Sequence, residues 1–271
     1  MTTEFFSTSG SSRTFHPFSV EWKSEAGSTL DLAAERLRSG RRTPFWVAVD
    51  RQTAGRGQYG RSWWSDRGSL LCAVAIRLQD YGIHDVPVGS GRFALMTGLA
   101  VVETVRPFLE AHGCDPVGLH WPNDVFCGSR KLAGILIESP SPGGLIAGIG
   151  VNVNNTCREA APEIRDRIIS LRDAGVPGIS LVKLLESLAG HLEMFLWRMA
   201  EDPRALMAQI RSFCTQVHRQ IRVERPGGDE RNPDVLCTGW CRGIRDDGAL
   251  IVETAPGEYR FFTSATVRVV E

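Results

Sequence analysis

A loop rich in glycine and arginine, TAGRGQYGRSWWS at residues 53–65, carries the residue types best suited to chemistry. Its three glycines permit positive φ angles and let backbone N–H groups approach a ligand closely. Arg56 and Arg61 add permanently charged, forked donors that match carboxylate or phosphate groups. This composition fits a loop that closes over an anion, and it also fits a basic surface loop. The three glycines are Gly55, Gly57 and Gly60.

A second candidate stretch, LHWPNDVFCGSRKLAGILIES, starts at Leu119. Lys131 opens a predicted strand over 130–138, and a lysine there is either a snorkelling edge residue or a group that stabilises charge on a transferring phosphoryl. Asn123 and Asp124 carry oxygens that suit ribose or Mg²⁺, although the same pair also suits a plain turn. Asp124 is therefore a candidate magnesium ligand.

The elements around these residues can be predicted from local patterns. The apolar run 45–49 precedes the glycine loop as a buried strand, and 70–78 is a second one. Ser28 or Thr29 caps a helix that runs to Arg38. If the start of this helix faces the glycine loop, it helps to hold an anion.

Glycines inside the predicted strand 145–153 imply that another group approaches the backbone closely there. The segment 92–111 predicts a core helix, and amphipathic patterns predict further helices over 180–200 and 203–213. Five short β runs after residue 220, separated by turn residues, predict a small antiparallel barrel.

Bulk composition excludes several classes of protein. Thirty-one basic residues balance thirty-one acidic ones, which argues against a dedicated nucleic-acid or membrane-surface protein. No apolar run reaches the length of a transmembrane helix, and the polar start of the chain does not fit a secretory signal. Seven scattered cysteines without CxxC spacing favour reduced thiols in the cytoplasm over disulfides or a zinc site.

Three motifs together, GRGQYGRSW, then WPNDV with KLAGIL, then GIGVNVN, resemble the biotin protein ligase family, the biotin–[acetyl-CoA-carboxylase] ligases. The resemblance covers about residues 28–154, and the final domain resembles that family more weakly. It implies an α+β fold, with a mixed β-sheet and flanking helices like those of class II synthetases and lipoate ligases, followed by a small SH3-like β-barrel. The expected division is a disordered tail at 1–16, a catalytic domain at 17–218 and the barrel at 219–271.

The resemblance also implies the reaction. Biotin attacks the α-phosphate of ATP, with Mg²⁺, to give biotinyl-5′-AMP, and the biotinyl group then passes to a lysine of a biotin carboxyl carrier protein. Catalysis would fall to Lys131, Arg56 and Arg61. The implied biotin-binding residues are Ser28, Thr29, Gln52, Arg56, Gly57, Lys131 and Gly134. The implied ATP- and adenylate-binding residues are Gly55, Arg56, Gly57, Gly60, Arg61, Trp63, Asn123, Lys131 and Asn152.

The sequence departs from the family pattern at four places. Leu30 stands where asparagine often follows the Ser-Thr pair, Gln58 replaces a common arginine, and His120 replaces a common lysine. The segment 263–265 lacks the glycine-acid pair expected near the end of the barrel. The loss of charge at Gln58 predicts weaker retention of the adenylate.

Three alternatives stay open at this stage. A lipoate or octanoate transferase on the same fold would keep the strand lysine, and a catalytically silent biotin or adenylate sensor would keep the pocket. A nucleic-acid binder would use the basic loop alone. The polar tail before the catalytic part is too short for a DNA-binding domain, so we expect no DNA partner and no membrane partner. The sequence does not decide between a monomer and a homodimer.

Overall fold

The protein is described here by a computed structural model that covers residues 12–15, 18–84, 91–140, 144–228 and 232–270. It contains two β-sheets and five helices in these ranges. The helices are α1 Thr29–Arg38, α2 Arg92–Ala111, α3 Pro162–Arg165, α4 Leu181–Glu201 and α5 Pro203–Ser212.

The larger sheet has eight strands. They are β1 Ser12–Phe15, β2 Phe18–Ala26, β3 Phe45–Gln52, β4 Leu70–Arg77, β5 Val117–His120, β6 Asp124–Cys127, β7 Arg130–Glu138 and β8 Gly144–Val151. Their order across the sheet is β1-β2-β3-β4-β8-β7-β6-β5. The pair β2–β3 is parallel and the other six pairs described are antiparallel, so the sheet is mixed, as predicted.

The two faces of this sheet are covered unequally. Side chains on one face, such as Trp46 and Ala48, pack into a large core with α2, α4 and α5. On the other face, Val47 and Val49 pack under α1, and Trp63 of the glycine loop packs against the same cluster. Burial on both faces explains why β3 and β4 are continuous apolar runs instead of alternating ones. The candidate site lies on this second face of the sheet, beside the region that α1 covers.

The second sheet follows the last helix. Its strands are β9 Gln220–Glu224, β10 Val235–Ile244, β11 Leu250–Ala255, β12 Glu258–Phe262 and β13 Thr266–Val269. They form an antiparallel sheet in the order β12-β11-β10-β9-β13. The five predicted strands are confirmed, and the sheet is consistent with an SH3-like domain. Closure of the sheet into a barrel stays a prediction.

The second sheet packs tightly on the first through a buried tryptophan. The backbone N–H of Trp121 donates to Gln216 Oε1 at 2.7 Å, and its indole Nε1 donates to the carbonyl of Gly248 at 2.9 Å. Ile221 and Val252 belong to the same continuous apolar core as α2. The two sheets therefore share one core, and the boundary expected between residues 218 and 219 falls just before β9.

Several predicted elements match the structure closely. Helix α2 has the predicted bounds, Arg92–Ala111, and Ser180 caps α4 by accepting from the N–H of Lys183. One expectation is wrong in part: Ser12–Phe15, placed in a disordered tail, pair with β2 as an edge strand. The rest of that tail, 1–11 and 16, lies outside the described residues. None of the helices in the described ranges is both long and apolar enough to span a bilayer.

Candidate active site

The start of α1 is fixed to the end of β3 by a small polar network. Ser28 caps the helix by accepting from the N–H of Leu30 at 3.3 Å. The carbonyl oxygen of the Gln52 side chain accepts from both the N–H of Thr29 at 2.8 Å and its hydroxyl at 3.1 Å. Ser28 and Thr29 are buried, so these bonds hold the polar groups in fixed orientations. The helix start faces the glycine loop, and it presents the positive end of its dipole there.

The glycine loop folds as a closed hairpin. The N–H of Gly57 donates to the carbonyl of Arg61 at 2.7 Å, and the N–H of Trp63 donates to the carbonyl of Gly55 at 2.9 Å. Gly60 has a φ of 74°, in the left-handed region that favours glycine. A side chain at Gly55 would come within 3.1 Å of both Gln52 and the Trp63 backbone. Gly55 and Gly60 therefore shape the loop, and they do not line the cavity that it covers.

Arg56 lies at the base of this hairpin between two carboxylates. Its guanidinium donates to Asp31 Oδ2 at 2.6 Å and to Glu138 Oε1 at 3.3 Å. The bond to Asp31, with Glu138 beside it, raises the pKa of Arg56 above its ordinary value. All three side chains are partly exposed, so the pairs are weak and exchangeable. The sequence analysis predicted neither carboxylate as a partner of Arg56. Asp31 could have been considered, because it lies in the first turn of α1, three residues after Ser28.

Trp63 lies directly against two strand glycines. A Cβ atom on Gly150 would fall 2.6 Å from Trp63 Cε2, and one on Gly134 would fall 2.8 Å from Trp63 Cζ3. Gly148 is approached in the same way by Leu30, whose Cγ would lie 2.8 Å from an added Cβ. The close approach predicted for the strand glycines is therefore made by the protein's own side chains. The buried indole N–H of Trp63 has no hydrogen-bond partner among the described residues.

Lys131 is aimed into the site by an irregularity between β6 and β7. The register shifts there, so that Val125 faces Ala133 while Phe126 faces Lys131. Such bulges bend a strand and redirect a side chain. The ammonium of Lys131 lies 2.7 Å from Asp124 Oδ1 and 5.2 Å from the centre of the Trp63 ring. This cation is therefore held between a carboxylate and an aromatic face.

The two predicted asparagines differ in position. Asn123 lines the cavity, with its amide N–H donating to the carbonyl of Ile135 at 2.6 Å. Asn152 is buried beyond the end of β8, where its side-chain oxygen accepts from Asn155 Nδ2 at 3.1 Å. Asn152 is not part of the cavity wall, and its amide stabilises the turn that follows β8.

These groups surround one cavity of about 160 Å³. It brings together the start of α1, the end of β3, the glycine loop and strands β6, β7 and β8. Predicted residues on its wall are Ser28, Thr29, Gln52, Arg56, Gly57, Arg61, Trp63, Asn123, Asp124, Lys131 and Gly134. Residues on its wall that were not predicted as ligand contacts are Leu30, Gln58, Ser62, Ile135, Leu136, Gly148, Ile149 and Gly150. Cations and hydrogen-bonding groups thus converge beside an apolar surface, which suits a ligand with an apolar body and an anionic end.

His120 stands behind this cavity, at the contact between the two sheets. Its ring stacks on Phe126 with 4.2 Å between centroids. One ring nitrogen lies 3.1 Å from the side-chain nitrogen of Gln216. Burial lowers the pKa of His120, and the nearby Asp124 opposes that shift. The neutral ring can accept the hydrogen bond from Gln216, which a protonated ring could not.

Comparison with known proteins gives consistent results. The model of the biotin/lipoate A/B protein ligase family matches residues 26–154. The biotin–[acetyl-CoA-carboxylase] ligase of Mycobacterium tuberculosis is 34% identical over 84% of this chain and 81% of its own length. The enzyme of the same name from Paracoccus denitrificans is 30% identical over 84% of this chain and 92% of its own length.

A solved structure shows the same arrangement of elements. The biotin protein ligase of Aquifex aeolicus in complex with biotin and ATP superposes with a TM-score of 0.75 at 26% identity. The match covers 93% of this chain and 99% of that one. With the identity to the mycobacterial ligase and the shared family model, the chain belongs to the biotin protein ligase family.

Proposed function

We propose that this protein is an ATP-dependent biotin protein ligase. It activates biotin to biotinyl-5′-AMP and then transfers the biotinyl group to a lysine of a biotin carboxyl carrier protein. The observation that carries this proposal is the convergence of three motifs, far apart in sequence, on a single cavity. The relatives named as ligases of acetyl-CoA carboxylase support the choice of carrier.

The first half-reaction joins two anions, so its barrier is mainly one of positioning and electrostatics. A carboxylate oxygen of biotin attacks the α-phosphorus of ATP, the bond to the β-phosphate oxygen breaks, and pyrophosphate leaves. Lys131 stabilises the charge on the carboxylate and the α-phosphate. Arg61 and Arg56 bind the phosphates, with Arg56 exchanging its Asp31 and Glu138 partners for the ligand.

Biotin is recognised by both the apolar and the polar residues of the cavity wall. Leu30 and Trp63 pack against the apolar body, while Ser28, Thr29 and Gln52 form hydrogen bonds to its polar ring. Thr29 and Gln52 already hold each other, and Ser28 is held by the N–H of Leu30, which lowers the entropic cost of binding. The N–H of Gly57 is already bonded to the carbonyl of Arg61, so Gly57 contributes by keeping the loop backbone along the cavity wall. Asn123 supports the adenylate from the β6 side.

The second half-reaction needs only a nucleophile from outside. The neutral amine of the carrier lysine attacks the carbonyl carbon of the mixed anhydride and loses one proton to solvent; an amide bond forms as the C–O bond to AMP breaks, and AMP leaves. AMP leaves with the electron pair of the broken anhydride bond. The negative charge on its phosphate is stabilised by the same cations that assisted the formation of the adenylate. This sharing of groups explains why one cavity serves both steps.

Mg²⁺ enters with ATP as part of the substrate. In the described residues no cluster of three or more His, Cys, Asp or Glu side chains could hold a metal ion. Asp124 is already paired with Lys131 at 2.7 Å. We therefore assign Asp124 to the positioning of Lys131 and place the metal on the phosphates.

All seven cysteines are free thiols, which supports a reducing compartment such as the cytoplasm.

A transfer assay tests the whole function. The purified protein is incubated with Mg-ATP, biotin and an isolated biotin carboxyl carrier domain. The mass of the carrier is then measured by intact-protein mass spectrometry. We expect the carrier to gain the mass of one biotinyl group. This gain should be absent without ATP, and absent when the target lysine of the carrier is replaced by arginine. Lipoate replaces biotin in a parallel reaction. Labelling by lipoate alone would identify a lipoate ligase, and tight biotin binding without labelling would identify a sensor.

A further inference from the structure

The tip of the glycine loop is attached to the second sheet. The hydroxyl of Tyr59, at this tip, forms a short hydrogen bond with the hydroxyl of Ser264, which precedes β13 and lies 205 residues further along the chain. Two residues from Tyr59, Arg61 Nη2 lies 3.5 Å from Thr266 Oγ1 on β13 itself. The loop therefore touches the second sheet at two points close to the same strand.

The backbone of Tyr59 adopts a conformation that favours this contact. Its φ is 58° and its ψ is 32°, in the left-handed region that non-glycine residues seldom adopt. Such a conformation is unfavourable for a residue with a side chain and persists where the surroundings fix it. Gly227, between β9 and β10, lies so close that an added Cβ would sit 3.3 Å from Tyr59 Cβ. The second sheet thus contacts the tyrosine at its base and at its hydroxyl, and the rest of the side chain stays exposed.

The opposite side of the same loop forms the wall of the cavity. Gly57, Gln58, Arg61 and Ser62 line it, whereas Tyr59 does not. The base of the loop is held by exchangeable ion pairs of Arg56. The bond between Tyr59 and Ser264 is therefore an attachment of the loop tip that a bound substrate does not need to displace.

We propose that Tyr59 is a positioning residue through which the second sheet holds the glycine loop closed over the activated intermediate. The role of Tyr59 in retaining the intermediate rests on the proposed ligase function, and its attachment to the second sheet rests on the geometry of the loop. The second sheet thereby controls how long biotinyl-5′-AMP stays bound. Release of the adenylate requires the Tyr59–Ser264 bond to break, while formation of the adenylate requires only the closed loop.

Two single variants and their combination test the proposal. Tyr59→Phe and Ser264→Ala each remove one hydroxyl, and Tyr259→Phe removes an exposed hydroxyl elsewhere on the second sheet as the matched control. The rate at which bound biotinyl-5′-AMP leaves is measured by chase with unlabelled biotin and ATP. We expect roughly fivefold faster release in each single variant, no further increase in the double variant, and no change in the control. Unchanged release, or single effects that multiply in the double variant, would overturn the proposal.

A second measurement needs no substrate and separates this proposal from the ligase function. Amide hydrogen exchange of residues 57–61 is compared in the free protein and its variants. We expect faster exchange in Tyr59→Phe and Ser264→Ala and wild-type exchange in Tyr259→Phe. If exchange rises but the protein forms no adenylate, the proposed function fails while the attachment stands. Equal exchange in all four proteins would overturn the attachment itself.

Discussion

The ammonium of Lys131 lies 2.7 Å from the carboxylate of Asp124, and the face of Trp63 covers it. The two charged residues come from strands β6 and β7, and the irregular register between these strands directs the lysine into the cavity. Lys131 is one of three lysines in the chain. Its charge thus lies in the cavity wall, with a counter-ion beside it.

Removing Lys131 should abolish activation of biotin. We expect Lys131→Ala to lower the rate of adenylate formation by about a hundredfold or more, because the transition state loses a preorganised cation. Asp124→Asn should lower it by roughly tenfold, because the lysine keeps its charge and loses its fixed position. Lys183→Ala, a change at an exposed site on α4, is the control. A raised Mg²⁺ requirement in Asp124→Asn would instead make Asp124 a metal ligand.

A methyl group at Gly150 should displace Trp63. The added Cβ would lie 2.6–2.8 Å from three atoms of the indole ring, and that contact can only be relieved by movement of the ring. We expect Gly150→Ala to weaken biotin binding by roughly tenfold, measured by calorimetry. Gly190→Ala is the matched control, because that position in α4 has no atom within 4 Å of a new Cβ. Equal affinity in both variants would contradict the placement of Trp63 in the site.

A positive charge at Gln58 should retain the adenylate longer. Gln58 lines the cavity beside Arg61, and an arginine there would add a charged hydrogen bond to the phosphate. We expect Gln58→Arg to slow the release of biotinyl-5′-AMP by roughly tenfold. Gln79→Arg places the same charge on an exposed turn and should leave release unchanged. Faster release from Gln58→Arg would show that the loop does not contact the phosphate.

His120 should make the protein less stable in mild acid. Burial lowers the pKa of this histidine below its ordinary 6.5. The unfolded chain therefore binds the proton first as the pH falls, and the free energy of unfolding decreases below about pH 6.5 until the folded pKa is reached. Urea titrations between about pH 7.5 and about pH 5 should show a smaller decrease for His120→Gln than for the wild type. Parallel curves would contradict a neutral His120 in the folded protein.

Local sequence patterns were sufficient to predict most of the secondary structure. The bounds of α2 follow from a long apolar segment that ends at Gly113, and the cap of α4 follows from Ser180 before a regular leucine stripe. The glycines in β8 correctly indicated that something approaches the backbone closely. They could not indicate that Leu30 and Trp63 do so, because these residues come from other parts of the chain.

The features that depend on tertiary contacts could not be predicted. The partners of Arg56 come from α1 and β7, and no local signal at Glu138 marks it as such. The contact between Tyr59 and Ser264 joins residues 205 positions apart. A nucleotide contact for Asn152 was implied by the resemblance to the family, and that role stays a prediction. The chain turns after β8, and the side chain is used there in a bond with Asn155.

The most direct test of the proposed ligase function is the release of pyrophosphate by the purified protein with Mg-ATP and biotin. Lipoate is supplied in a parallel reaction, and Lys131→Ala serves as the inactive variant. We expect release that depends on biotin, does not occur with lipoate, and is lost in the variant. Absence of release with either acid, in a protein that binds biotin measurably, would contradict the ligase function, and release that persists in Lys131→Ala would contradict the assigned site.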